Sequence, residues 1–403
     1  MTRIVQKYGG TSVATPAKLR RVARKVRESP PDTEVVVVVS AMGETTDELI
    51  ALAHSITSDP PSREMDMLLS SGEIITAPLL AMALAAAGTP AVSLTGLQAG
   101  IRTSRVHRTA RIVDIIPQRI LDELGNGRVV VVAGFQGATE ELDITTLGRG
   151  GSDTSAVALA VALHADRCEI FTDVAGVHTA DPRIVPDARV IPLIAYDEML
   201  EFAAAGARVV HPRAVEIGEA YAMEIRVRST FDDHPGTIIS NNANMEERQK
   251  VRGIAHETDV AKVTLLGVPD SPGVAAAIFG PLADEAINVD IIVQNVSHDG
   301  TTDMSFTIAE SDLRRATRML DDLAKSTGAQ GFTATADIAK VSVIGTGLRT
   351  PGVVARIFHA LAEAGINIEM ISSSEIHITC IIDRARVRDA VSALHQAFEL
   401  EKI

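Results

Sequence analysis

Ile4-Val5-Gln6-Lys7-Tyr8-Gly9-Gly10-Thr11-Ser12 reads as a short apolar strand that carries a lysine, breaks at two glycines and opens a helix. A second stretch repeats the pattern. Gly148-Arg149-Gly150-Gly151-Ser152-Asp153-Thr154-Ser155 is a glycine turn running into the apolar stretch 156–163. Paired glycines let backbone approach an anion with no Cβ in the way. The free N–H groups and positive end of the helix then favour negative charge. One cradle brings Lys7 and the other Arg149 with Asp153, a set suited to phosphates and a carboxylate.

Working outward, residues 35–39 and 129–132 are unbroken β-branched runs, as strands buried on both faces are. Glu169-Ile170-Phe171 is a third strand signal, and helical periodicity fills intervals such as 16–28 and 153–164. Alternation of this kind predicts an α/β fold with an open, mostly parallel sheet covered by helices. The turns at Gly9-Gly10, Gly43, Gly134 and Gly150-Gly151 each follow a strand signal. They therefore gather at the carboxyl edge of the sheet, where such folds bind ligands.

Together, Lys-Tyr-Gly-Gly-Thr-Ser-Val at 7–13 and Gly-Arg-Gly-Gly-Ser-Asp-Thr at 148–154 resemble the aspartokinases, within the amino-acid kinase family. Similar segments lie at 40–47, at Ser71-Gly72-Glu73, at 171–174 and at 179–183, so the resemblance spans the chain. It implies the αβα sandwich of that family over residues 1–240, ATP and Mg²⁺ as cofactors, and transfer of phosphoryl to the β-carboxylate of aspartate. That carboxylate is ionised at neutral pH, so the reaction needs no general base. Its difficulty is bringing one anion onto another, which cations and alignment relieve.

Composition sets bounds. The 403 residues suggest two to three domains, and 46% hydrophobic content is ample for their cores. A net charge of −14 argues against nucleic-acid or anionic-membrane partners. Cys168 and Cys380 form no metal knuckle or disulfide framework and read as buried thiols. The chain is expected to start directly in a strand, with no signal peptide. The Ala-rich stretch 77–87, flanked by Pro78 and Gly88, is too short to cross a bilayer. A cytoplasmic protein is expected. The P-loop pattern Gly-x-x-x-x-Gly-Lys-Ser/Thr is absent, and Gly345-x-Gly347 lacks a dinucleotide-binding context.

Residues 241–258 are polar and read as a linker. Beyond them the chain repeats: Ala261-Lys262-Val263 matches Ala339-Lys340-Val341, and Pro272-Gly273-Val274 matches Pro351-Gly352-Val353. Ile287-Asn288-Val289-Asp290 likewise matches Ile366-Asn367-Ile368-Glu369. The copies, 259–335 and 336–403, resemble a tandem pair of ACT-type regulatory domains, ferredoxin-like βαββαβ modules that bind amino acids. The resemblance puts effector contacts at Asp270, Gly273, Asn288, Val289, Asp290 and Gln294, and at Asn367 and Ile368 of the second copy. Lysine and threonine are the expected effectors, acting together, with Asp290 or Glu375 as counter-charge for lysine. A homo-oligomer through these modules is expected, and Met245 is a candidate internal start for a shorter regulatory chain.

In the first 240 residues the resemblance assigns roles one by one. Lys7 and Asp153 are catalytic. Arg149 and Ser152, with Gly150 and Gly151, hold the α-carboxylate of aspartate. Ser40 and Thr46 hold the rest of the substrate, and Glu73 faces its ammonium. Tyr8, Gly9, Gly10, Thr172, Asp173, His178, Asp181, Arg183 and Arg208 belong to the nucleotide side with Lys7. His178 and Arg208 depart from the residues usual in the family. Simpler readings stand beside these: Asp153 as a helix N-cap, Glu73 as a first-turn acid, Asp181-Pro182 as a plain turn. Two other functions remain open, a different amino-acid kinase or an amino-acid sensor built on the repeats.

Overall fold

The computed structural model describes residues 2–207, 209–241, 251–285, 287–294 and 300–402. Arg208 and Met245 lie outside the described residues. The chain divides into two compact units. The first comprises residues 1–178, 190–204 and 208–248; the second comprises 179–189, 205–207 and 249–403.

The first unit is built on an eight-stranded sheet. Its order is Leu193–Ile194, Thr237–Ile239, Ile225–Ser229, Arg167–Thr172, Thr2–Tyr8, Thr33–Val39, Val129–Ala133, Ala91–Leu94. Every pairing is parallel except that between Ile225–Ser229 and Thr237–Ile239. The β-branched runs take the middle because a central parallel strand buries both faces. Val35, Val37 and Val39 pack with Ile4 and Tyr8 beneath the helices Pro16–Arg27 and Ser62–Ala86. The opposite face is covered by the helix Gly151–Ala162, giving three layers.

Ser62–Ala86 corrects the reading of residues 77–87 as a segment bounded by Pro78. The helix runs 25 residues, straight through the proline. By length and apolarity it could cross a bilayer. Here it is a core helix, with Leu80 and Leu84 against the sheet and Asp66 and Glu73 on its buried face.

The second unit holds two four-stranded antiparallel sheets. The first copy is complete in sequence: Ala261–Pro269, Val274–Asp284, Val289–Gln294, Thr301–Ile308, Glu310–Thr327, Gly331–Thr335. The second copy has Ile338–Ile344, Val353–Glu363, Met370–Ser373, His377–Asp383 and Val387–Ala397, but takes its fourth strand from elsewhere. Gly253–Glu257, read from sequence as linker, pairs antiparallel with Ile338–Ile344 where Gly331–Thr335 sits in the first copy. Val251 and Ile254 fill the second copy's core, so burial fixes the strand. The first copy is thus inserted into the second. The segment 179–189 also belongs to this unit. Ala180 and Val185 join the same core, and the Thr179 hydroxyl lies 3.0 Å from His395 Nε2.

Candidate active site

Both glycine turns lie at the carboxyl edge of the large sheet, and a cleft of about 690 Å³ opens between them. Lys7, Gly10, Ser40, Thr46, Glu73 and residues 149–153 all line it. The structure therefore brings together every residue assigned from sequence to catalysis or to the amino-acid substrate.

Lys7 is the penultimate residue of its strand. Its Nζ lies 2.6 Å from Asp153 Oδ1, with both side chains about one-tenth exposed. The contact is one of charge; Oδ1 has no hydrogen-bond donor in hydrogen-bond geometry. Oδ2 accepts weakly from the His211 backbone N–H at 3.3 Å. Asp153 is not the N-cap. Gly150 is, at φ 66°, and Asp153 sits in the first turn, where a carboxylate is favoured by the dipole. Gly150 has two reasons to be glycine. Its φ is left-handed, and a Cβ there would lie 2.2 Å from the His211 ring. Burial lowers the His211 pKa, and the Asp153 charge opposes that shift.

The first turn works differently from its expected form. The helix after Gly9 is only Gly10–Val13. Gly10 is needed for close approach: a Cβ would meet Ala41 O at 2.9 Å. The Gly43 N–H donates to Gly10 O at 3.1 Å, clamping the turn to the 40–47 segment that carries Ser40 and Thr46.

Glu73 is mid-helix rather than a first-turn acid. It is 3% exposed. Its Oε1 accepts from the Ala41 N–H at 2.9 Å, and its buried Oε2 has no hydrogen-bond partner among the described residues. Burial pushes its pKa up to about 8, against the pull of the Ala41 N–H. A buried carboxyl with one unmet oxygen suits a cation from the ligand.

The nucleotide assignments scatter. Tyr8 is fully buried, its ring stacked 4.7 Å from Phe171 and its hydroxyl donating to Gln6 at 3.2 Å. Its side chain therefore points into the core rather than to a ligand. The Gly9 N–H is used by Phe171 O at 3.2 Å. Thr172 ends the strand beside Lys7's, at the same sheet edge, and its hydroxyl donates to Asp173, the residue after it, at 3.1 Å. His178 is half-buried, with Nδ1 3.0 Å from Gly176 O. Asp181 and Arg183 lie in the second unit and pair with each other at 2.7 Å, which lowers the Asp181 pKa.

In the second unit, Gly273 and Gly352 cap their helices at φ 96° and 92°, with open space where a Cβ would stand. Asp270, Asn288, Gln294 and Asn367 are exposed, and Val289 and Ile368 half-buried. The expected counter-charges for lysine are engaged: Asp290 with Lys340 at 2.6 Å, Glu375 with Arg349 at 2.9 Å.

Sequence reasoning missed Ala41, His211, Arg108 and Asp66. Ala41 acts through its backbone and His211 through ring packing, neither of which a residue type signals. Among the described residues no three His, Cys, Asp or Glu side chains form a metal cluster. A divalent ion at this edge would be held largely by phosphate oxygens and water, the habit of Mg²⁺.

Residues 2–229 match the amino acid kinase family, and residues 263–323 and 341–398 match the ACT domain. An aspartate kinase of Stutzerimonas stutzeri (strain A1501) is 49% identical over 404 residues, covering 100% of this chain and 98% of the relative. Among solved structures, E. coli aspartokinase III in complex with aspartate and ADP (R-state) superposes with a TM-score of 0.83 at 27% identity, covering 98% and 99% of the two chains. The same enzyme in complex with lysine and aspartate (T-state) gives 0.76 at 27% identity, with the same coverage.

Proposed function

The chain belongs to the aspartokinases of the amino acid kinase family, and from that premise we propose that its cleft moves the γ-phosphoryl of ATP to the β-carboxylate of L-aspartate. The observation that carries this is the convergence of Lys7, Glu73, Arg149 and Asp153 on one cleft. Arg149 is exposed and makes no ion pair among the described residues, so its fork is available to the α-carboxylate. Glu73 Oε2 receives the α-ammonium. Bound at both ends, aspartate presents its β-carboxylate toward Lys7, whose ammonium neutralises charge as phosphoryl passes between anions. Asp153 holds Lys7 in place. Mg²⁺, when bound, would neutralise phosphate oxygens. Thr172 and Asp173, at the adjacent strand end, serve the nucleoside end of ATP. The product is an acyl phosphate, 4-phospho-L-aspartate, made in the cytoplasm as the first step toward lysine, threonine and methionine.

The second unit is the regulatory part, with lysine and threonine as effectors at the two Pro-Gly turns, around Asp270, Gly273 and Asn288 in one copy and Asn367 and Ile368 in the other. Asp290 is a structural partner of Lys340 rather than the ligand's counter-charge. The outer strands Val289–Gln294 and Met370–Ser373 expose Ile292 and Ile371, which suits pairing with a second copy of the chain. The domain division follows the two units, with 253–257 assigned to the second regulatory copy.

A hydroxamate assay with ATP, Mg²⁺ and aspartate tests the reaction. Aspartyl hydroxamate should form with aspartate and not with glutamate, and lysine plus threonine should suppress it more than either alone. Hydroxamate from glutamate but not aspartate would replace this reading with that of another amino-acid kinase.

A further inference from the structure

Arg108 also lines the cleft, and nothing so far accounts for it. Its backbone is left-handed, at φ 68°, a conformation an arginine adopts only when its surroundings impose it. What imposes it is Asp66, fully buried in the long helix. Both Asp66 oxygens accept the Arg108 N–H at 3.0 Å, and Oδ1 also accepts from the Thr146 hydroxyl at 2.6 Å. His107 Nδ1 lies 2.8 Å from Oδ2. The same region is tied to the Gly148–Gly151 turn. The Ala110 N–H donates to Thr146 O at 2.9 Å, and Arg213 donates to both Leu147 O and Ala110 O. A Cβ at Gly148 would lie 3.0 Å from Arg108 O, so the two backbones run side by side. Arg108 and Arg149 therefore stand on adjacent, braced segments at one wall of the cleft. Both are exposed, and neither guanidinium has an ion pair or hydrogen bond among the described residues.

We propose that Arg108 is a second substrate-binding guanidinium, which shares the amino-acid α-carboxylate with Arg149; this rests on the aspartate-kinase reading. A buried network that holds one arginine in a strained conformation beside another, in a chain of net charge −14, concentrates positive charge where a carboxylate must dock. Two forks on one carboxylate fix its plane, and so direct the β-carboxylate away from that wall toward Lys7.

The test uses Arg108→Gly and Arg108→Ala in the full chain. Glycine accepts φ 68° without strain, whereas alanine keeps the strain and loses the guanidinium, so the pair separates backbone from charge. Both variants should raise the aspartate KM by about tenfold or more, the worth of one charge-assisted contact, with ATP KM and kcat within about threefold of wild type. Melting temperature should be lower for Arg108→Ala than for Arg108→Gly, while the KM defect is the same. With the α-amide of aspartate as substrate, wild type and Arg108→Gly should have equal KM, because the group that Arg108 reads is gone. An unchanged aspartate KM in Arg108→Gly overturns the proposal, as does an effect confined to ATP KM or one equally large with the α-amide. Failure of wild type to form aspartyl hydroxamate would instead reject the aspartate-kinase reading itself.

Discussion

At the residue scale the most testable group is Glu73. Its folded pKa, about 8, stands above its unfolded value near 4.3. The native state then keeps a proton that the unfolded chain has lost, so this group's contribution is full below the unfolded value and is lost as pH rises through about 8. An ammonium docked on Oε2 reverses the preference and favours the carboxylate. At pH 7, aspartate binding should expel about one proton per site, visible as a buffer-dependent enthalpy in titration calorimetry. The aspartate KM should fall as pH rises toward 8. Glu73→Gln keeps the acceptor for Ala41 but cannot titrate, so its binding enthalpy should not depend on the buffer. Buffer dependence that survives in Glu73→Gln would place the proton elsewhere. Lys7 makes a different prediction. Its charge is wanted most as phosphoryl moves, so Lys7→Ala should lower kcat by about 10² or more with little change in aspartate KM. A loss confined to KM in steady-state assays would leave Lys7 a binding residue only. Lys7 was visible as a lysine near a strand end before two glycines, whereas Glu73 came only from the family resemblance, because an acid after Ser-Ser-Gly by itself reads as a first-turn acid and the structure puts it mid-helix. Tyr8 misled, because its partner is Phe171, 163 positions away, and stacking has no local signature.

At the scale of elements, the parallel strands were legible because burial on both faces leaves unbroken Val runs. Gly253–Glu257 was not. Only Ile254 and Ala255 in it are buried apolar residues, and its pairing partner begins more than eighty residues later. Short edge strands are decided by what they cover, and Ile254 covers the second copy's core. Ile254→Ala should therefore destabilise the second unit by about 2–4 kcal/mol, as for other large-to-small changes in a filled core. Denaturant unfolding followed in the full chain should show the loss in the second unit's transition. A cost near zero would mean the strand is dispensable to that core. The long helix was missed for a related reason. Pro78 usually ends a helix, yet Leu80 and Leu84 beyond it bury against the sheet and carry the helix on.

At the scale of the whole molecule, the repeat read from sequence acquires a physical consequence within the second unit. Lys262 of the first copy pairs with Glu369 of the second, and Lys340 of the second with Asp290 of the first. These are the same two repeat positions exchanged, so the copies are held by a reciprocal pair of bridges around a small apolar cluster of Val260, Ile291, Ile338, Met370 and Ile381. What no pattern announced is the route of the chain at 179–189. The segment continues directly from the strand end bearing Thr172 and Asp173, yet its side chains share the second copy's core. Asp181 and Arg183, which the family resemblance puts on the nucleotide side, therefore travel with the regulatory unit. Any effector that repacks this core should act through ATP saturation more than through aspartate saturation. His395 is the most direct handle: it is 3% exposed, and its bond to Thr179 ties the segment to the last long helix. His395→Ala should leave ATP KM near wild type without effectors. With lysine plus threonine, the rise in ATP KM should shrink by about fivefold, the low end of typical coupling energies. If that rise is undiminished in a variant that still melts cooperatively, the segment is only a filler of the core and the signal takes another path.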